Sequence, residues 1–198
     1  MLFFLRKLIP AILLFISVSA FSQFEMADSS NRVIIKPFSP PVGAVIQDML
    51  YTQAKVFLAP DIFEKNHNLL NYRGKSVLLY FIKKDCYNCE NGLEALKELK
   101  KHYGNRIEIF AFSNESKNSL LKAYKHLNPG YNVMFNSKIF GEMMYAGSLG
   151  YPRLFYINKE GYTTKIIPEE TFDQTSNTKD LILKTIQEIE EGRKEIHN

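Results

Sequence analysis

Cys86 and Cys89 are the only two cysteines among 198 residues, and they stand in the tetrapeptide Cys86-Tyr87-Asn88-Cys89. Four uses of such a pair compete. A zinc site needs two further thiolate or imidazole ligands, and His67, His102, His126 and His197 show none of the paired spacings that such sites use. An inert staple would close a loop of four residues, worth about 2 kcal/mol of chain entropy against about 3 kcal/mol for a fifteen-residue loop. Paired core thiols would have apolar neighbours, whereas Lys83, Lys84, Asp85 and Glu90 flank these two. Thiol–disulfide exchange fits the pattern best, with one cysteine attacking a disulfide as its thiolate and the other resolving the mixed disulfide.

Such chemistry needs a scaffold that exposes one sulfur and favours its thiolate. Val77 to Ile82 is a run of six apolar or aromatic residues, which predicts a strand buried on both faces. From Asn88 to His102, and on to Tyr103, apolar residues recur every three or four positions at Leu93, Leu96, Leu99 and Tyr103, which predicts a helix. The cysteines therefore fall where a buried strand hands over to a helix, and unpaired N–H groups with the positive end of the helix dipole favour a thiolate there. Lowering a thiol pKa from about 8.5 to about 7 raises the thiolate fraction at neutral pH from about 3% to about half. Lys83 and Lys84 push that way, and Asp85 and Glu90 oppose them. Cys86, at the loop end, is the expected nucleophile; Cys89, one turn into the helix, is the expected resolving cysteine.

The amino terminus predicts that this chemistry takes place outside the cytoplasm. Arg6 and Lys7 precede the apolar run Leu8 to Val18, and small residues follow at Ser19, Ala20 and Ser22. This is the pattern of an export signal over 1–22, cleaved after Ser22 or after Ala20. An uncleaved tether is the alternative, but the run is shorter than the ~20 residues of a spanning helix. Cleavage predicts a periplasmic or secreted protein, where disulfide chemistry is permitted. The signal takes two cations with it and lowers the net charge from +4 to +2. That balance argues against nucleic acid or an anionic membrane surface as partner.

The remaining elements follow from pattern. Residues 23–70 read as an extension of uncertain structure: a possible strand at Arg32 to Lys36, a break at Pro37, Pro40 and Pro41, and a helical period from Gly43 to Phe57 that ends at Ala59-Pro60-Asp61. His67, in the polar run Lys65 to Asn68, is expected to be solvated. Arg106 to Phe112 predicts a second interior strand, Glu115 to Leu127 an amphipathic helix stopped at Asn128-Pro129-Gly130, and Val133 to Phe135 a short strand. Ser137 to Tyr145 reads as a short helix whose Met143 and Met144 are expected in the core rather than on a metal. Gly150 to Ile167 predicts a hairpin turning at Asn158-Lys159-Glu160-Gly161, and Asp180 to Glu191 a closing helix capped by Asn177 or Thr178. Strands alternating with helices in this order predict an α/β fold with a central mixed β-sheet flanked by helices.

Residues Asn71 to Ile189 resemble the exported thioredoxin-like proteins of the TlpA/ResA type, many of them bacterial thiol–disulfide oxidoreductases. The resemblance rests on Arg73-Gly74-Lys75-Ser76-Val77-Leu78-Leu79-Tyr80-Phe81, on Cys86-Tyr87-Asn88-Cys89, and on Tyr145 through Pro152 to Gly161. It implies a thioredoxin-like domain over 71–196. It also implies a cis proline at Pro152, lying against the cysteines, with Tyr151 and Pro152 contacting an extended substrate strand. The chain departs from the pattern in three places. Asp85 stands where the family usually has tryptophan, Tyr87-Asn88 where it commonly has a proline, and Tyr80 where the thioredoxin branch has a buried aspartate.

The resemblance further favours a reductant of exported protein disulfides over an oxidant of them; a reductant would need a membrane electron donor to regenerate its dithiol. No motif requires a metal, nucleotide or haem cofactor. The competing expectation is a thioredoxin-fold binding or assembly module of the cell envelope without redox turnover. A peroxidase would require a Pro-x-x-x-Thr-x-x-Cys pattern, which the residues leading up to Cys86 do not supply.

Overall fold

Strand β3 (Ser76–Ile82) is buried along its whole length at the centre of a five-stranded sheet. A computed structural model describes residues 40–124 and 129–196. The expected export segment 1–22, the possible strand at Arg32 to Lys36, and Leu127 and Asn128 lie outside them. Around β3, the strands β4 (Ile107–Ser113), β5 (Asn132–Met134), β6 (Arg153–Ile157) and β7 (Thr163–Ile167) take the order β5-β4-β3-β6-β7. β3, β4 and β5 run parallel, while β6 is antiparallel to both β3 and β7.

Alternation along β3 divides its side chains between two cores. Leu78, Tyr80 and Ile82 pack with helices α2 (Cys89–Tyr103) and α6 (Thr178–Ile196) and with Phe172 of the short α5 (Glu169–Asp173). Val77, Leu79 and Phe81 join Phe57, Phe110, Phe112, Tyr145 and Tyr151 on the other face, against α1 (Val42–Met49) and α4 (Lys138–Met144). Helix α3 (Lys117–Tyr124) contributes Leu120 to the first core. Asn177 Oδ1 accepts from the Asp180 amide at 3.0 Å and caps α6. Gly161, with φ +86°, supplies the left-handed residue that the β6–β7 turn requires. Among the described residues, no helix is long and apolar enough to cross a membrane.

Three local expectations are corrected. The helical period from Gly43 to Phe57 yields only α1, because the sheet edge offers 51–54 better partners than continued helix. The Tyr51 amide donates to Thr163 O at 2.7 Å, the Thr163 amide to Thr52 O at 2.9 Å, and the Ala54 amide to Gly161 O at 3.0 Å. Met143 and Met144 are exposed rather than in the core, since α4 turns Phe140 and Gly141 inward instead. His67 is fully buried rather than solvated.

His67 lies on β2 (Asn66–Asn68), paired with β1 (Leu58–Pro60) in a small hairpin. Its Nε2 is 2.9 Å from Asp61 Oδ2 and its Nδ1 is 2.6 Å from the Tyr72 hydroxyl, with the Phe110 ring edge-on. Both ring nitrogens therefore have a polar partner, as a buried imidazole requires. Tyr72→Phe leaves the buried Nδ1 without its partner and is expected to cost about 1–2 kcal/mol, measured by urea unfolding. An unchanged unfolding midpoint would show that the hydroxyl is not what holds this hairpin to the sheet.

Candidate active site

Beyond Ile82 the chain leaves β3 through an exposed turn, Lys83-Lys84-Asp85, in which Asp85 takes a left-handed φ of +58°. Aspartate tolerates that conformation better than most side chains. Cys86 follows half-buried, Tyr87 projects into solvent at 93% exposure, Asn88 is 7% exposed, and Cys89 is 5% exposed. Cys89 is the first residue of α2, which corrects the expectation that it sits a full turn inside. Asn88 takes the N-cap position one residue before the second sulfur, with no cap hydrogen bond from its side chain. A disulfide joins Cys86 to Cys89, with their Cα atoms 5.3 Å apart, and the Cys89 amide donates to Cys86 O at 3.2 Å.

The cis proline arrives from the neighbouring strand. Phe81 pairs with Arg153, so the register carries Pro152 alongside the end of β3 from which the cysteine turn departs. The Tyr151–Pro152 peptide is cis, and both residues are buried. Cys86 packs against the core cluster that contains Tyr151. The Tyr151 ring is held on three sides: Lys83 Nζ lies 5.5 Å from its centroid, the Arg153 guanidinium 4.3 Å, and Asn114 Nδ2 donates to its hydroxyl at 3.2 Å.

Arg153 was not singled out by sequence pattern, although a lone charge opening the apolar strand Leu154-Phe155-Tyr156-Ile157 is a visible signal. Its side chain is fully buried and donates from Nε to Tyr145 O at 2.9 Å, from Nη1 to Gly150 O at 2.6 Å and from Nη2 to Gly141 O at 2.6 Å. It therefore ties α4 and the turn before the cis peptide to β6. Burial pushes the guanidinium pKa down, with Tyr151, Glu142 and Glu169 acting against that shift. Gly150 has φ +73°, and a Cβ there would stand 1.9 Å from Glu169 Oε2. Only glycine meets both conditions. Among the described residues, no cluster of three or more His, Cys, Asp or Glu side chains is arranged to hold a metal ion.

A disulfide at a strand-to-helix junction and a cis proline immediately before the antiparallel neighbour β6 define the frame of the site. Residues 51–165 match the AhpC/TSA family, and that stretch is more than half of the chain. The chain belongs to the AhpC/TSA family. Solved structures place this AhpC/TSA member among thioredoxin folds. It is similar to the exposed lipoprotein thioredoxin of Streptococcus pneumoniae, at 25% identity and a TM-score of 0.53, over 68% of this chain and 99% of that one. A candidate protein disulfide isomerase of Bacteroides thetaiotaomicron matches at 20% identity and a TM-score of 0.57, over 75% and 95%. A secreted disulfide oxidoreductase of Mycobacterium tuberculosis matches at 11% identity and a TM-score of 0.53, over 64% and 91%. No curated protein matches the sequence. Family and the Cys86–Cys89 disulfide together make this AhpC/TSA protein a thioredoxin-like oxidoreductase.

Proposed function

We propose that the chain is an exported thiol–disulfide oxidoreductase that reduces disulfides of envelope proteins, with Cys86 as nucleophile, Cys89 as resolving cysteine, and Tyr151 and Pro152 as contacts for an extended substrate strand. The observation that carries this reading is the half-buried Cys86 joined to a buried Cys89 at the start of α2, packed against the core cluster that contains Tyr151 of the cis Tyr151–Pro152 peptide. The lipoprotein thioredoxin of S. pneumoniae and the secreted oxidoreductase of M. tuberculosis support it by analogy.

In the reducing direction the Cys86 thiolate attacks one sulfur of the substrate disulfide. A bond forms from Cys86 Sγ, the substrate S–S bond breaks, and the departing substrate thiolate takes a proton from solvent. Cys89, deprotonated, then attacks Cys86 Sγ. The mixed disulfide breaks, the second substrate thiol leaves, and the Cys86–Cys89 disulfide remains. Two electrons have passed to the substrate, and a dithiol donor at the membrane must return them. Export through the segment 1–22 would place the protein where both partners are found. Tyr87, almost wholly exposed between the sulfurs, offers an apolar ring to the approaching chain.

A disulfide-reductase assay on residues 23–198, with insulin as substrate and dithiothreitol as electron source, tests the reading. The wild-type chain is expected to accelerate insulin reduction and Cys86→Ser is not. Equal rates in the two would end it and favour the binding-module alternative.

A further inference from the structure

Asn88 is gripped from two directions by segments far away in sequence. Its side-chain Nδ2 donates to Phe172 O at 3.4 Å and to Asp173 Oδ1 at 3.3 Å, both on α5 and 84 and 85 residues distant. Its own carbonyl accepts from the Tyr80 hydroxyl, which rises from β3 at 3.4 Å, and from the Gly92 amide at 3.2 Å. The two gripping elements also touch each other, because the Tyr80 and Phe172 rings meet edge to face at 6.3 Å. Gly92 makes room for this arrangement: a Cβ there would lie 1.9 Å from the Tyr80 hydroxyl. Tyr80 and Phe172 are fully buried, so the cradle under Asn88 belongs to the core.

Asn88 is also the residue that connects the exposed part of the cysteine loop to Cys89. Whatever fixes Asn88 fixes the peptide that places the second sulfur, with or without the bond to Cys86.

We infer that Asn88 is a positioning residue that clamps the cysteine loop to α5 and so sets the dithiol–disulfide equilibrium of Cys86 and Cys89. The inference rests on the thiol–disulfide reading and deepens it. When the disulfide is reduced, its own restraint on residues 86–89 is lost, and the clamp is what keeps the sulfurs close to bonding positions. Re-forming the bond then costs little chain entropy, which favours the disulfide. Without the clamp the dithiol gains freedom that the disulfide form cannot share. The equilibrium therefore moves toward the dithiol.

The test is equilibration of the wild-type chain, Asn88→Ala, Asp173→Ala and the double variant in glutathione redox buffers. In this exchange two glutathione thiols give two electrons and two protons to the Cys86–Cys89 disulfide, yielding the dithiol and one oxidised glutathione. The chain has no tryptophan. The dithiol fraction is therefore read by acid quench, alkylation and intact mass.

Asn88→Ala is expected to shift the equilibrium constant about tenfold toward the dithiol, which is about 30 mV for a two-electron couple. Asp173→Ala should shift it about threefold the same way, and the double variant no further than Asn88→Ala alone, because both substitutions remove one clamp. A constant for Asn88→Ala within twofold of wild type would overturn the inference. So would shifts that multiply in the double variant. A purely structural role would destabilise oxidised and reduced forms alike in urea and leave the constant unchanged, which also counts against it. If Asn88→Ala does not fold, the threefold shift in Asp173→Ala decides. Failure of the wild type to reduce insulin would instead reject the function reading, since the equilibrium is measurable without turnover.

Discussion

In the reduced protein at neutral pH, Cys86 is expected to be alkylated at least ten times faster than Cys89, and Cys89→Ser is expected to accumulate a stable mixed disulfide through Cys86. Access and helix position both point this way. Cys86 is half-buried in the turn before α2, whereas Cys89 is 5% exposed and packed into the core with Tyr80 and Leu96. An alkylating reagent must reach the sulfur as a thiolate, so burial slows Cys89 twice: it blocks approach and disfavours the charged form. The start of α2 acts against the second effect at Cys89, because Cys89 is itself the first helical residue and dipole stabilisation is strongest there. Access decides the order. For the same reason Cys86→Ser is expected to lower disulfide turnover by about 10³-fold or more, since a hydroxyl near neutral pH supplies almost none of the required anion. Timed alkylation with mass-spectrometric mapping measures the order. Equal rates, or faster labelling at Cys89, would reverse the two roles.

Arg153→Met is expected to destabilise the oxidised protein by about 3–5 kcal/mol, a large part of the 5–15 kcal/mol typical of a domain. Two effects compete. Removing a buried cation relieves a desolvation cost, consistent with the lowered guanidinium pKa. Against that, Tyr145 O, Gly150 O and Gly141 O lose their donor together. A buried carbonyl left unpaired costs about 1–3 kcal/mol, and three of them outweigh the relief. The guanidinium also covers the faces of Phe81 and Tyr151 at 4.7 and 4.3 Å, a contact that methionine replaces only in part. Arg153→Lys keeps the charge, but one compact ammonium cannot span three carbonyls, so about half the loss is expected to remain. Because one of those carbonyls is that of Gly150, just before the cis Tyr151–Pro152 peptide, the lysine variant should also show a raised KM for a disulfide substrate. Urea unfolding gives the stability change. A loss below about 1 kcal/mol in Arg153→Met would mean that water or a rearranged turn satisfies the carbonyls.

The sequence determined the parts of this protein that depend on neighbours along the chain. Val77 to Ile82 reads as a buried strand because its apolar run is unbroken, and β3 is buried at every position. The repeat of Leu96, Leu99 and Tyr103 predicts α2, and those residues do face the core. The Asn158 to Gly161 turn is encoded locally by a glycine at positive φ. The pairing of Cys86 with Cys89 is legible from their spacing together with the strand-to-helix junction and the charged flanks, and the family pattern points to Pro152. What the local pattern could not carry was decided by the tertiary structure. His67 looks solvated because its sequence neighbours are polar, yet Asp61 and Tyr72 reach it only once β1 and β2 fold back on the sheet. The helical period after Gly43 lost to sheet-edge hydrogen bonds supplied by residues more than a hundred positions away. Arg153 could be buried only because three carbonyls from α4 and the following turns converge on it. Asn88, unremarkable beside Tyr87 in the sequence, acquires its partners from α5 across 84 residues. In each of these cases the burial of a polar group depends on a partner that is brought to it only when the whole chain folds, and periodicity along the chain holds no record of that partner.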